Sequence, residues 1–287
     1  MVEAATAADG VRPLSEHSLL TLAAPAQPGF RHLLTRAAPS GALTGYAQVG
    51  ADAAELLVAP DARRAGIGSA LLSAVTGQAR GGAVRIWSHG YLPPARAFAA
   101  AHGLHVVREL WQMTRPSAGA DGGPEHPLSP PRLPGGFMVH PFAEADLPEW
   151  LTVNAAAFAT HPEQGRISAD DVRARMATRW FDADGFLLIR DTGDTRTDPR
   201  GRLAAYHWTK IEPDRQPRTG EVYVVGIDPA YQGRGLARPV TQLGLAYLAG
   251  AGVAQIELYV DGDNAPAVAT YRGLGFARTA LDVMLAA

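Results

Sequence analysis

The chain has 287 residues, 47% of them hydrophobic, with 26 Lys and Arg against 28 Asp and Glu and a formal net charge of -2 at pH 7. Domains commonly run to about 100–150 residues, so two cores are expected, and scattered arginines without a basic surplus argue against nucleic acid as a partner. Zero cysteines exclude disulfides and thiolate chemistry; no apolar run reaches the roughly 18 residues of a membrane span and no basic-then-apolar leader opens the chain, so a cytoplasmic protein with no membrane partner is expected.

Residues 1–23, MVEAATAADGVRPLSEHSLLTLA, open without a strand pattern. Ser15 is placed to cap a short helix carrying Leu19, Leu20 and Leu22, with Glu16 in its first turn, where a carboxylate suits the helix dipole. Residues 30–34, 43–49 and 53–58 read as strands separated by Pro/Gly/Ser turns, an antiparallel meander. Arg63, Arg64, Ala65, Gly66, Ile67 and Gly68 then form a turn into a helix over 69–80, followed by a strand over 83–88. Residues 116–136, PSAGADGGPEHPLSPPRLPGG, contain six prolines and five glycines and can neither pack a core nor hold a helix. The domain boundary is placed there, dividing residues 1–115 from 137–287.

The second half opens with a strand over 137–140 and a helix capped by Asp146, with Glu149 three residues on as a capping box; residues 155–158 finish its buried face. Ser168 with Asp171 opens another helix, through Val172 and Met176 to Trp180. Strands follow over 185–189 and 202–211, joined by the polar DTGDTRTDPRG, expected to be a solvated hairpin loop without a chemical role.

Residues 220–250, GEVYVVGIDPAYQGRGLARPVTQLGLAYLAG, read as an apolar strand, a short turn and a helix opened by glycines. The β-branched and aromatic stretch 222–227 favours a pleated chain, and Asp228-Pro229 ends its ladder. In Gln232, Gly233, Arg234, Gly235, Leu236, Ala237 and Arg238 the glycines let backbone N–H groups crowd round an anion at a helix N-terminus, and two arginines add charge. No Lys-Ser/Thr pair follows the glycines, which excludes a nucleotide P-loop, and the glycine spacing of a dinucleotide fold is absent. Alternation sets Glu221, Tyr223 and Val225 on one face of the strand. His161 and His207 lack partners at the i, i+4 spacing of a zinc site, and Asp261-Gly262-Asp263-Asn264 lacks the glutamate of a calcium loop, so no metal is expected and the latter reads as a helix cap. Aligning Gly66 with Gly235 and Gly103 with Gly275 repeats the pattern at about 170 residues, which points to duplication.

Strand, Asp-Pro, Gln-x-x-Gly-x-Ala, amphipathic helix, second strand and NAPAVATYRGLGF at 264–276 together resemble the GNAT acyl-CoA N-acetyltransferase superfamily. The resemblance implies an α/β (α+β) fold of two tandem GNAT domains, each a mixed, mostly antiparallel twisted sheet flanked by helices. Domains of the superfamily begin with a strand, so the first is expected to lack its initial strand, through loss or a start assigned too late, and to carry an unpaired edge. By the same resemblance the loop amides take the pyrophosphate of coenzyme A, the central strand splays from its neighbour near residues 225–227 and polarises the thioester carbonyl, Glu221 deprotonates the amine, and Tyr271 serves the departing thiolate as general acid. A phenol with a pKa of about 10 transfers its proton to a thiolate uphill by roughly 2 kcal/mol, so a strong hydrogen bond describes that role better. The competing roles are a half-buried helix aromatic for Tyr271 and a solvated strand end for Glu221.

HPEQG at 161–165, HWTK at 207–210 and GEVYVVGIDP resemble, over nearly the whole chain, the mycothiol synthase family of tandem GNAT proteins. The resemblance implies acetyl transfer from acetyl-CoA to the cysteinyl amine of cysteinyl-glucosaminyl-inositol, the last step of mycothiol assembly, by a monomer. Carried over by match, Glu16, Glu163, Lys210, Glu221 and Tyr259 would line this small thiol-conjugate substrate. One acetyl-CoA would lie along Val225, Gly226 and Ile227, the loop from Gln232 to Arg238, and Asn264, Ala265, Pro266, Ala267, Val268 and Ala269. The other would lie along Leu56, Leu57 and Val58 and the turn from Arg63 to Gly68. Tyr271 falls opposite Ala99 and Asn264 opposite Leu92, so only the second half is expected to turn over. The alternatives are an acetyltransferase for another small amine or a protein N-terminus, and a coenzyme A sensor or scaffold in which neither half reacts.

Overall fold

The computed structural model describes residues 1–23, 29–78, 84–117, 131–196 and 198–287, with the side chains of Pro162 and Glu163 excepted. In chain order the elements are α1 (Val2–Asp9), α2 (Glu16–Ala23), β1 (Arg31–Arg36), β2 (Leu43–Val49), β3 (Ala54–Val58), α3 (Ile67–Gln78), β4 (Arg85–Ser88), α4 (Pro93–Ala101) and β5 (His105–Pro116). There follow β6 (Phe137–Pro141), α5 (Leu147–Ala157), α6 (Pro162–Gly165), α7 (Ala169–Met176), β7 (Phe186–Asp191), β8 (Arg202–Ile211), β9 (Thr219–Ile227), α8 (Ala237–Gly250), β10 (Gln255–Asp261), α9 (Ala265–Arg272) and β11 (Ala277–Ala286). Two compact units result: Met1–Trp111 with Asp261–Asn264 and Ala280–Ala287, and Gln112–Val260 with Ala265–Thr279. Much of the expected linker, residues 118–130, lies outside the described residues, as do 79–83, where the expected third helix ends and the strand after it begins.

In the first unit β1, β2 and β3 form the expected antiparallel meander, β4 adds in parallel to β3, and the C-terminal residues Val283 to Ala286 pair antiparallel with β4. Two helices and no strand precede β1 among the described residues. Alternation splits the core. Ala47, Ala54, Leu71 and Val75 pack on the α3 side, and Tyr46 and Leu57 meet Ala5 and Leu14 on the other. Ser15 caps α2, its Oγ accepting from the Ser18 N–H at 3.2 Å. Leu19 of that helix packs against this core, Ser18 and Thr21 are buried, and Leu22 is 44% exposed. Ser18 is drawn inward by Glu55 of β3, a buried carboxylate that takes hydrogen bonds from the Ser15 N–H and the Ser18 side chain; a charge withdrawn from water must find donors.

In the second unit β6, β7, β8 and β9 are successive antiparallel neighbours, β10 joins β9 in parallel, and β5 lies beyond β10. Trp150, Phe186, Tyr206 and Trp208 build an aromatic core against α5, with the Phe186 and Trp208 rings stacked at 4.4 Å. On the opposite face Ala204, Ala205, Leu236 and Val240 pack beneath α8. The Ser168–Asp171 capping box forms as expected. The Asp146–Glu149 box does not, because both carboxylates are drawn to Arg190, a guanidinium with no exposed surface. Asp146 takes Arg190 and the Ala143 N–H, and Glu149 takes Arg190 and the Leu203 N–H. The loop expected to be solvated takes part as well, Arg200 reaching Asp146 and the Gly201 carbonyl accepting from Arg190. The buried face of α5 consists of Leu147, Trp150, Val153 and Asn154; Ala155 and Ala156, expected inside, face out, as a period of 3.6 residues requires.

Candidate active site

β8 runs beside β9 to its end, pairing Ala205 with Ile227, but β10 pairs with β9 only from Gln255↔Thr219 to Leu258↔Val222. Both strands continue past that point unpaired to one another, so the edge of residues 223–227 on the β10 side opens as a wedge of backbone amides and carbonyls. Gly226 is dictated by the fold here, since a Cβ on it would lie 2.6 Å from the Tyr206 hydroxyl. A register shift between Trp208 and Thr209 leaves Tyr223 without a partner on β8, a bulge that keeps Glu221 and Tyr223 on one face, both against the Lys210 ammonium, and turns Val225, expected beside them, to the other. Tyr223 packs with the aromatic core, whereas Val225 and Ile227 pack on the α8 side.

Past Ile227, Asp228 caps a single turn through its side chain and the loop to α8 begins. Gly233 and Gly235 hold φ of 76° and 75°, values that a side chain adopts at a cost of about 1–2 kcal/mol. The N–H groups of Gly233, Arg234, Gly235 and Leu236 donate to no acceptor among the described residues, an arrangement suited to a phosphate. Arg234 lies over the Tyr231 ring and 3.8 Å from Asp191; Leu236 is buried, and Gln232, Ala237 and Arg238 are exposed. On α9, Val268 is buried, Ala267 is half-buried, and Ala265, Pro266 and Ala269 are exposed.

A row of charges crosses the sheet just before the wedge. Lys210 of β8, Glu221 of β9 and Glu257 of β10 are register partners in turn. The Lys210 ammonium, on a side chain only 6% exposed, lies 3.1 Å from Glu212 and 3.7 Å from Glu221. It also sits over the Trp180 and Tyr223 rings at 5.3 and 5.4 Å. The Tyr223 hydroxyl accepts from Arg175 Nε at 2.7 Å. Glu257 is buried against Arg215 and the Gln112 amide. Burial disfavours the Arg215 cation, but its bonds to Glu257, with smaller help from Tyr259 and Glu212, raise its pKa; the expected substrate residue Tyr259 is itself 42% exposed. Trp180, Glu212, Arg215 and Arg175 were not singled out from sequence. The signal for Glu212 was present, since residues i and i+2 of an extended chain share a face and Glu212 follows Lys210 at that spacing.

Tyr271 is buried, its ring edge-on to Phe276, and its hydroxyl bonds to nothing among the described residues. Burial pushes its pKa up to about 12, which makes it a hydrogen-bond donor to a thiolate rather than a full proton source. The HPEQG motif forms α6: Gln164 and fully buried Asn154 bond each other twice, Asn154 also accepts from the Tyr206 hydroxyl, and a Cβ on Gly165 would strike the Phe158 carbonyl at 2.5 Å. Glu163 is carried on this anchored turn, its side chain outside the described set. His207 of HWTK is a core residue, its Nδ1 bonded to the Val240 carbonyl and its pKa pushed down to about 4 by burial.

The first unit repeats the geometry. β3 pairs with β4 only at Ala54 and Glu55, so Leu56, Leu57 and Val58 lie beyond the paired part, and Arg64 and Gly66 hold φ of 64° and 79°, matching the two glycines of the other loop. Ile67 and Gly68 begin α3 there, after Ala65. The Arg63 guanidinium is engaged by both carboxylate oxygens of Asp9. Ala99, buried against Val283 and Leu285, stands where the second half has Tyr271. Glu16 and Asn264 belong to this unit and both are half-buried.

Residues 150–276 match the acetyltransferase (GNAT) family. The chain is 46% identical over 280 residues to the mycothiol acetyltransferase of Kytococcus sedentarius, covering 97% of this chain and 89% of that protein. It is 47% identical over 293 residues to that of Geodermatophilus obscurus, covering 99% and 91%. Among solved structures, a tandem GNAT protein from the clavulanic acid biosynthesis pathway shares the fold with a TM-score of 0.69 at 20% identity, covering 99% of this chain and 92% of that one.

Proposed function

The chain belongs to the mycothiol acetyltransferases of the GNAT superfamily, and from that premise we propose that its second unit moves acetyl from acetyl-CoA to the cysteinyl amine of cysteinyl-glucosaminyl-inositol. The observation that carries this reading is the end of β9–β10 pairing at Val222↔Leu258, one residue beyond Glu221. Past it, the unpaired edge over Val225, Gly226 and Ile227 offers the N–H groups of Val225 and Ile227 to a thioester oxygen, since those of Gly226 and Asp228 face β8, and the N–H donors around Gly233 and Gly235 offer a seat for a pyrophosphate.

The amine must lose a proton before it attacks. An α-amino group titrates near 7.7–8.0, so freeing it at neutral pH costs only about 1 kcal/mol and a carboxylate such as Glu221, directly or through water, suffices as base. The N–C bond then forms, the C–S bond breaks, the nitrogen releases its second proton to water, and the departing thiolate takes a hydrogen bond from Tyr271 with its proton drawn finally from solvent. Glu163, Lys210, Glu221 and Tyr259 are the substrate contacts proposed in the second unit, mixed in charge as a ligand with one ammonium and many hydroxyls requires. The first unit, with Ala99 in place of the acid, is proposed to hold a second acetyl-CoA along Leu56 to Val58 and Arg63 to Gly68 without turning it over.

The test is thiol release from acetyl-CoA with the conjugate, free cysteine, glucosamine and a short peptide. A site built to read hydroxyls should favour the conjugate over free cysteine by at least about a hundredfold in kcat/KM. Equal values, or a preference for the peptide, would reject this substrate.

A further inference from the structure

Resting on the reading of Glu221 as the base, we propose that Glu212 is a positioning residue that holds the Lys210 ammonium off Glu221 and thereby sets the proton affinity of the base. The ammonium is shared unequally, in contact with Glu212 at 3.1 Å and at longer range to Glu221 at 3.7 Å. It has little room elsewhere, for the Trp180 and Tyr223 rings flank it and Arg175 fixes the Tyr223 hydroxyl. All three charged side chains are largely shielded, at 6%, 18% and 15% exposure for Lys210, Glu212 and Glu221, so their attraction is weakly screened.

A cation in full contact lowers a carboxylate pKa by about 1–3 units and makes it a correspondingly weaker base. Glu212 draws that cation toward itself, which leaves Glu221 stabilised enough to stay ionised and still able to accept a proton. Further charges among the described residues lie in this row. Glu257, its partner on β10, is neutralised by Arg215, which also senses Glu212 and Tyr259, and Arg175 lies at the far end of the Tyr223 ring. Glu212 therefore bears on Lys210 and on Arg215 alike.

The experiment is the pH dependence of kcat/KM in Glu212→Gln, Lys210→Met and the double variant, with Glu212→Asp as the conservative rescue. Glu212→Gln should move the acid limb down by about one unit and lower kcat several-fold, Lys210→Met should move the limb up, and Glu212→Gln should add no further shift in the Lys210→Met background. A merely structural Glu212 would lower thermal stability and leave the limb in place. An unmoved limb, or an equal shift in both backgrounds, overturns the proposal. Carboxyl 13C NMR of glutamate-labelled protein, with Glu221 assigned by Glu221→Gln, reads the same titration without turnover. A shifted Glu221 resonance in a protein that transfers no acetyl would keep the Glu212–Lys210 device and reject the catalytic reading, while active enzyme with an unmoved resonance would reject the device alone.

Discussion

The His89 imidazole bonds the Asp282 carboxylate through Nδ1 at 2.9 Å, although 193 residues separate them. Nε2 of the same ring faces the buried carboxylate of Glu55 at 3.3 Å, and Asp282 also accepts from the Gly90 N–H. The first unit is thus closed by a cation between two carboxylates, one of them supplied by its C-terminal strand. Burial disfavours the charged ring, but the bonds and charges of Asp282 and Glu55 prevail and raise its pKa to about 9.

A group whose folded pKa lies above its unfolded value near 6.5 contributes fully below that value, and its contribution fades as pH rises through the folded pKa near 9. His89→Gln should therefore cost about 3 kcal/mol at pH 6 and much less at pH 10, read by urea unfolding. Glu55, held below its ordinary value by the ring and the two serines after burial has opposed it, acts the other way and loses its contribution as pH falls through its folded pKa. A cost for His89→Gln that does not change between pH 6 and 10 would show that the ring packs as a neutral group.

Tyr271→Phe removes the hydroxyl and little else, since the ring's contact with Phe276 survives. A loss of one to three orders of magnitude in kcat is expected, the usual span for acid–base groups, with KM for acetyl-CoA nearly unchanged. Because burial holds this hydroxyl near pKa 12, Tyr271 should contribute no fall in rate below about pH 11. A basic limb near pH 9 that disappeared in the phenylalanine variant would contradict the burial-raised pKa and make Tyr271 a full proton source, and an unchanged kcat in that variant would remove the role.

The strands over 43–49 and 202–211 were legible because apolar and β-branched residues dominate them, and the turns before α3 and α8 because glycines mark both. What escaped had its cause far along the chain. Asp146 and Glu149 look like a capping pair, but Arg190, more than 40 residues away, makes them counter-ions. Ser18 carries no local sign of burial, yet Glu55 draws it inward. The bulge at Tyr223 shifts the register by one residue with no local mark, so Val225 lands on the face opposite to the one alternation assigned. Pairing of the C-terminal residues with β4 has no signature in either segment.

The matched left-handed pairs in the two loops should respond oppositely to substitution. Arg64 holds φ of 64°, so Arg64→Gly removes a strain of about 1–2 kcal/mol from the folded state, offset partly by the greater freedom of glycine in the unfolded chain. Thermal unfolding should show it neutral to slightly stabilising. Gly235→Ala introduces that strain where φ is 75° and should raise KM for acetyl-CoA about tenfold while leaving that for the amine. If Gly235→Ala changed neither, the loop would not be the pyrophosphate seat.

The last prediction concerns how Glu163 is held. Its turn, α6, is tied down by Asn154, whose amide donates to the Gln164 carbonyl at 2.8 Å and whose oxygen accepts from the Gln164 amide at 3.0 Å and from Tyr206 at 2.7 Å. Asn154 has no exposed surface, so each lost partner leaves a buried polar group costing about 1–3 kcal/mol. Gln164→Ala removes one of these bonds and keeps the backbone one; Asn154→Leu removes all three and strands the Tyr206 hydroxyl. Gln164→Ala should then lower stability by about 1 kcal/mol yet raise KM for the acceptor amine about tenfold, because the turn that carries Glu163 becomes loose while β9 and the phosphate loop are untouched. KM for acetyl-CoA should stay within about twofold, and Glu163→Ala in the Gln164→Ala background should add little, since both changes act on one contact. Full additivity of the two acceptor-KM effects would mean that Gln164 does not work through Glu163, and an unchanged acceptor KM in Glu163→Ala itself would remove the residue from the substrate site.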